Sequence, residues 1–183
     1  MKAPGDEDLM VYAGRGDLAA FEKIVRRHQN WAWRLAYRFI GNEEDAADVV
    51  QDAFIRLLDA SGRYRPTATF KTYFYKVITR LCLDRAKKKQ PLYLETIPDS
   101  PDPRPGVTDA MIRRETAVLV RASLDSLPPN QRMAIVLRYY EDLNYEEIAS
   151  ALETTTKAVE RLLSRGRERL GAILENRVDF FHS

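Results

Sequence analysis

The chain has one cysteine, Cys82, and two histidines, His28 and His182. A lone thiol excludes an internal disulfide and a cysteine-built zinc site, and two distant imidazoles suggest no metal cluster. No stretch approaches the roughly 18 apolar residues of a membrane span, so no membrane insertion is expected. The N-terminus, MKAPGDEDLMVYAGRGD, is polar and acidic without an apolar centre, which does not describe a signal peptide. A cytoplasmic location is expected. There is no phosphate-cradling glycine loop, no nucleophile elbow and no His–acid pair at usable spacing. Catalytic residues, metal ligands and cofactors are therefore not expected, and Asp84 reads as a local ion-pair partner. A net charge of +2 is too small to declare a nucleic-acid binder, so the distribution of charge must decide.

What is present is concentrated between Leu143 and Leu170, LNYEEIASALETTTKAVERLLSRGRERL. Asn144 followed by Glu147 fits a reciprocal helix cap. Tyr145, Ile148, Ala149 and Leu152 give the short helix one apolar face. Thr154, Thr155 and Thr156 supply hydroxyls for capping a second helix. There Val159, Leu162, Leu163, Gly166 and Leu170 recur at helical spacing as a buried stripe. Lys157, Arg161, Ser164, Arg165 and Glu168 fall on the opposite face. Residues 156–170 hold five Lys/Arg against Glu160 and Glu168. Two short helices with cations gathered on the second predict a helix-turn-helix that presents a recognition helix to DNA. The turn lacks the glycine often found there; Glu153 stands in its place.

The segment 90–110 breaks every periodicity. Pro91, Pro98, Pro101, Pro103 and Pro105 are five of the nine prolines, set among Glu95, Asp99, Asp102 and Asp109 with Arg104 the lone cation. Proline removes an amide donor and restricts the residue before it, so an extended acidic linker is expected over 91–110. It separates an N-terminal domain, 1–90, from a C-terminal domain, 111–183. Both read as helical, giving an all-α fold of two small domains.

In the first domain, Asp17 caps a helix that runs to about Phe39 and ends at Gly41. A second begins at Asn42, with Asp45 at the capping-pair position, and buries Ala46, Val49, Val50, Ala53, Phe54, Leu57 and Leu58. A third, from about Phe70 to Lys89, follows the loop Ser61–Thr69 and buries Phe74, Val77, Ile78 and Leu81. In the second domain a helix is expected around Met111–Ser126, then another from Pro129 to Tyr140. The helix-turn-helix follows, and NRVDFFHS forms a short tail.

Charge in the first domain is divided by sign. Glu43, Glu44 and Asp45 complement a helix dipole. Asp48 and Asp52 lie beyond it and, with Gln51 and Ile55, suit either a protein partner or a solvated face. Lys76, Arg80, Arg85, Lys87, Lys88 and Lys89 exceed what a helix C-terminus needs and suit a phosphate backbone. Tyr64, Arg65, Thr67 and Thr69 in the preceding loop, with Phe70, Tyr73 and Tyr75, place aromatics beside cations. That pairing fits single-stranded nucleic acid, or the rings simply anchor the loop in the core.

Three segments in this order resemble the extracytoplasmic-function class of bacterial RNA polymerase sigma factors. EEDAADVVQDAFIRLL is similar to that family's polymerase-binding helix, and FKTYFYKVITRLCLDRAKKK to its −10 element helix. LDSLPPNQRMAIVLRYYEDLNYEEIASALETTTKAVERLLSRGRERL looks like its −35-binding domain. The resemblance implies a specificity subunit for core RNA polymerase, contacting the β′ clamp helices and the β flap. Asp48, Gln51, Asp52 and Ile55 would face the clamp helices. Tyr64, Arg65, Thr67, Thr69, Lys76, Arg80, Arg85, Lys87 and Lys88 would hold the melted −10 strand. Lys157, Arg161, Ser164 and Arg165 would enter the major groove of the duplex −35 element. An anti-sigma factor is a further implied partner. Arg80 stands where the family often has Asn, and Glu160 and Arg161 also depart from its pattern, which shifts base preference. The rival readings are a stand-alone helix-turn-helix regulator and an adaptor that reads no DNA.

Overall fold

Asp17 accepts the amide of Ala20 at 3.0 Å and starts the longest helix of the first module, as its sequence predicts. The computed structural model describes residues 3–89 and 118–181, so the expected linker over 91–110 and the helix start at Met111 lie outside the described residues. Among the described residues eight helices follow in chain order: α1 (Asp6–Ala13), α2 (Leu18–Ile40), α3 (Glu43–Ser61), α4 (Phe70–Lys89), α5 (118–125), α6 (Pro129–Tyr139), α7 (Tyr145–Ala151) and α8 (Thr156–Phe181). Every regular element among the described residues is helical.

α2 ends where Gly41 turns left-handed at φ 79°, a conformation open to glycine without penalty. Asn42 then caps α3 by accepting the amide of Asp45 at 2.9 Å. α2, α3 and α4 bury Ile24, Leu35, Phe39, Val49, Leu57, Phe74 and Ile78 between them. An aromatic cluster of Trp31, Phe54, Phe70, Phe74 and Tyr75 fills the centre. Leu58, expected in the core stripe of α3, is instead 36% exposed, because it falls at the edge of the buried face.

α1 has no counterpart in the sequence reading. Its eight residues are too few to establish a period, yet Leu9 and Met10 are fully buried. Asp6 anchors it to α2 by accepting Arg27 at 2.7 Å and bonding His28 Nε2 at 2.8 Å. Burial opposes ionisation of Asp6, but the hydrogen bonds from Arg27 and His28 outweigh it and hold its carboxyl below the ordinary value.

In the second module α6 opens at Pro129, whose missing amide is harmless in a first turn. Asp142 takes a left-handed φ of 54° after α6, and Leu143 donates back to the Leu137 carbonyl at 3.1 Å. α6 packs against α8 where Gly166 faces Ile135; a Cβ there would lie 3.1 Å from Ile135 Cγ1. α8 continues to Phe181, so most of the expected tail is helix.

The two modules touch. α4 lies against α6 and α7, and α2 against α6. Arg121 of α5 donates to the carbonyls of Tyr37 at 3.2 Å, Arg38 at 2.8 Å and Phe39 at 3.3 Å at the end of α2, where Tyr37 also accepts the Gly41 amide at 2.8 Å. Arg132 joins it on the Phe39 carbonyl at 3.1 Å. Asp125 pairs with both guanidiniums. Gly41 makes room for this: any Cβ would fall on the Arg121 guanidinium.

Candidate nucleic-acid and polymerase interfaces

α7 and α8 are each started by hydrogen bonds the sequence pattern anticipates. Asn144 Oδ1 accepts the amides of Glu146 and Glu147 at 2.9 Å each, and Glu147 Oε2 accepts the Asn144 amide at 2.8 Å. Thr155 Oγ1 accepts the Ala158 amide at 3.2 Å and so starts α8. Each such cap contributes about 1 kcal/mol. Glu153 takes the left-handed position that glycine would usually fill, at φ 51°. Val159, Leu163 and Gly166 are buried, whereas Lys157, Arg161, Ser164 and Arg165 are all exposed on the other side of α8. Four donor side chains on one exposed helical face can meet the donor and acceptor edges of a duplex major groove.

The side chains of α3 beyond its first acidic turn form an exposed face. Asp48, Gln51, Asp52 and Ile55 are exposed together, with Ile55 at 50% and the neighbouring Leu58 completing an apolar centre rimmed by carboxylates. Asp48 lies 3.3 Å from Arg85 Nη2, and Asp52 belongs to the same exposed face.

The loop and α4 are where structure and expectation diverge most. Arg65, Thr67 and Thr69 are exposed. Tyr64 is turned inward at 8% exposure, its ring 5.6 Å from that of Tyr73. Phe70 and Tyr75 are likewise core residues, so the anchoring alternative describes them. Arg85 folds back onto α3, bonding Asp45 and Asp48, and the Asp45 bond foremost raises its already high pKa. The cations that remain outward are Lys76, Arg80, Lys87 and Lys88, with Lys87 3.9 Å from Asp84. Lys76 and Arg80 both face Glu153 of the other module.

Comparison with known proteins places this geometry. The Sigma-70 region 2 family matches residues 24–91, and the Sigma-70, region 4 family matches residues 117–170. The chain is 34% identical over 180 residues to the ECF RNA polymerase sigma factor SigE of Mycolicibacterium smegmatis, covering 91% of this chain and 68% of that one. The chain belongs to the extracytoplasmic-function sigma factors. It is 30% identical over 171 residues to the ECF RNA polymerase sigma factor SigW of Bacillus subtilis, covering 85% of this chain and 89% of that protein. Among solved structures, CnrH in complex with the cytosolic domain of CnrY superposes with a TM-score of 0.70 at 25% identity, covering 93% and 97% of the two chains. The fold is shared with the sigma factor RpoE of Bartonella quintana, solved with the anti-sigma factor NepR, at a TM-score of 0.62 and 18% identity over 85% and 96%.

In this sigma factor, region 2 spans most of α2 with α3 and α4, and region 4 spans α5 to α7 with the first half of α8. α1 precedes the region 2 match but is built into it, since Glu7 Oε1 accepts the Phe70 amide at the start of α4 at 2.7 Å. Sequence reasoning missed the inter-module residues Glu141, Arg121 and Arg132. Their partners lie 66 to 110 residues away, and no local period signals such a pairing.

Proposed function

We propose that this sigma factor directs core RNA polymerase to specific promoters by reading duplex −35 DNA with α8 and melted −10 DNA with α4 and the loop before it. The observation that carries the reading is the order of the two matched sigma-70 regions, with Lys157, Arg161, Ser164 and Arg165 exposed together on α8. Lys157, Arg161, Ser164 and Arg165 serve the −35 element. Arg65, Thr67, Thr69, Lys76, Arg80, Lys87 and Lys88 serve the opened strand. Asp48, Gln51, Asp52 and Ile55 meet the β′ clamp helices, and region 4 meets the β flap. Because Tyr64 is buried and Arg85 is paired with Asp45 and Asp48 of α3, they act by holding the loop and α4 in place.

Few base contacts are available on elements this short. Each reader is weak alone, and tethering both to the polymerase raises the effective concentration of the second contact. The protein carries out no reaction of its own, acts in the cytoplasm, and is held in check by an anti-sigma factor. No helix among the described residues is long and apolar enough to cross a membrane, in keeping with that location. Run-off transcription with purified core polymerase tests the proposal: promoter-dependent product is expected only when the chain is added. A footprint on supercoiled template from the chain alone, unchanged by core polymerase, would instead favour a stand-alone regulator.

A further inference from the structure

α2 carries more positive charge than its neighbours neutralise. Lys23, Arg26, Arg27, Arg34 and Arg38 stand against Glu22 alone along its 23 residues. Three of these cations are tied down: Arg26 to Glu22, Arg27 to Asp6 and Arg38 to Glu141. Lys23 and Arg34 are exposed and meet no carboxylate among the described residues. Single cations on a helix surface are ordinarily just hydrated, so charge alone does not define a site.

The side chains between them add a second observation. Trp33 and Tyr37, one turn apart, stack with ring planes 5° from parallel and centroids 5.0 Å apart. Trp33 is half-buried and Tyr37 is 37% exposed, so the pair offers a flat apolar face to solvent. Trp31, two residues earlier, points the other way, onto Phe74 and Tyr75. Lys23, Asn30, Trp33, Arg34 and Tyr37 recur at i, i+7, i+10, i+11 and i+14, which is one helical face, turned away from the buried Ile24, Leu35 and Phe39. At 1.5 Å per residue this stripe runs about 21 Å.

We infer that the outward face of α2 is a sequence-independent site for single-stranded nucleic acid: Lys23 and Arg34 each pair with a backbone phosphate, and a base stacks on the Trp33–Tyr37 pair. Every base has a flat π-face, so a platform of rings accepts any sequence while cations to either side track the backbone. Asn30, exposed between the cations, carries both a donor and an acceptor for a base edge. An acidic peptide would satisfy the two cations and leave the rings idle, which favours a nucleic acid. The site lies on a different helix from the cations of α4, and it draws on neither the −10 nor the −35 assignment. In a promoter complex it holds opened strand that carries no −10 sequence.

The test uses the full chain and a labelled homothymidine oligonucleotide, titrated by anisotropy across a range of salt. Neutralising both cations with Lys23→Gln and Arg34→Gln should make the plot of log affinity against log salt shallower by about 1.4, at roughly 0.7 per phosphate contact on a single strand. Between about 50 mM and 200 mM salt the parent should then lose about sevenfold more affinity than the variant. Arg56→Gln with Arg63→Gln, both exposed elsewhere on region 2, removes the same charge and should leave the slope near the parent's. Equal flattening by the two pairs would mean diffuse attraction and overturn the site. The platform has its own readout. Homothymidine should quench the parent's tryptophan emission, and the quenching should vanish in Trp33→Phe, which keeps a ring in place. Quenching that survives in Trp33→Phe would overturn the stacking. Labelled polyglutamate is the rival probe: binding as tight as the oligonucleotide's, with the same loss in Lys23→Gln/Arg34→Gln, would overturn the nucleic-acid assignment in favour of an acidic protein partner.

Discussion

Glu7 on α1 accepts the backbone amide of Phe70, 63 residues later, at 2.7 Å. Together with Thr69, whose hydroxyl accepts the Thr72 amide at 3.2 Å, it satisfies two of the orphan donors that open α4. The helix that carries Lys76, Arg80, Lys87 and Lys88 is thus started by a segment that precedes the region 2 match.

Replacing Glu7 by Ala should therefore cost about 1 kcal/mol of stability, the net worth of one such hydrogen bond. Urea unfolding gives the magnitude, and hydrogen exchange locates it. The Phe70 amide should lose protection before the amides in the middle of α4. Uniform protection along α4 in the variant would contradict the cap.

On α8, Arg165→Ala should weaken initiation mainly on promoters with an intact −35 element. A bidentate contact to guanine is worth roughly 1–3 kcal/mol of discrimination, so the loss should be about tenfold or more. Transcription from matched templates with and without the −35 element measures it. An equal loss on both templates would remove Arg165 from the recognition surface.

For the acidic face, Asp52→Arg combined with Ile55→Arg should lower affinity for core polymerase without moving the melting temperature. Both side chains are exposed, so neither substitution disturbs the core. Asp48 is a poorer probe because it also neighbours Arg85, and reversing its charge would strain that pair. A fluorescence titration with core polymerase gives the affinity; parent-like binding would exclude this surface.

The α6–α8 contact predicts a different defect. Gly166→Leu forces a side chain into the 3.1 Å gap beside Ile135 Cγ1 and should destabilise region 4 by about 1–3 kcal/mol, the usual range for overpacking. Thermal unfolding should show it, and −35 recognition should fall with it.

Acid sensitivity should trace in part to Asp6. Its pKa is depressed in the folded state, so the stability it lends is fully present above its ordinary value of 3.8 and is lost as pH falls through the lower folded value. Asp6→Asn should therefore be less stable than the parent near neutrality, with the gap closing on strong acidification. A gap of constant size across that window would argue against the ion pairs with Arg27 and His28.

Local chemistry was legible in the sequence wherever a cap or a stripe announced it. Asp17, Gly41, Asn42, Asn144 and Thr155 all occupy the helix ends that their side chains or backbone freedom favour. The exposed face of α8 followed from the buried stripe of Val159, Leu163 and Gly166. Aromatics beside cations were ambiguous, because a ring next to Arg65 can stack on a base or fill a core. Tyr64 fills the core, since the loop needs an anchor between α3 and α4. Arg85 was read as one of several like charges along α4, and only the packing of α3 against α4 shows that Asp45 claims it. α1 was too short to register as a period. Contacts between regions, such as Trp31 with Glu141, depend on how two modules dock, which no run of neighbouring residues encodes.

The left-handed backbone at Glu153 carries a further consequence. A residue with a Cβ in that conformation costs roughly 1–2 kcal/mol relative to the right-handed form, and glycine would relieve most of it. A change to glycine would toughen the C-terminal bundle against heat while surrendering the carboxylate that pairs with Lys76 of α4. Heat resistance of that bundle and its ionic tie to α4 thus pull this position in opposite directions.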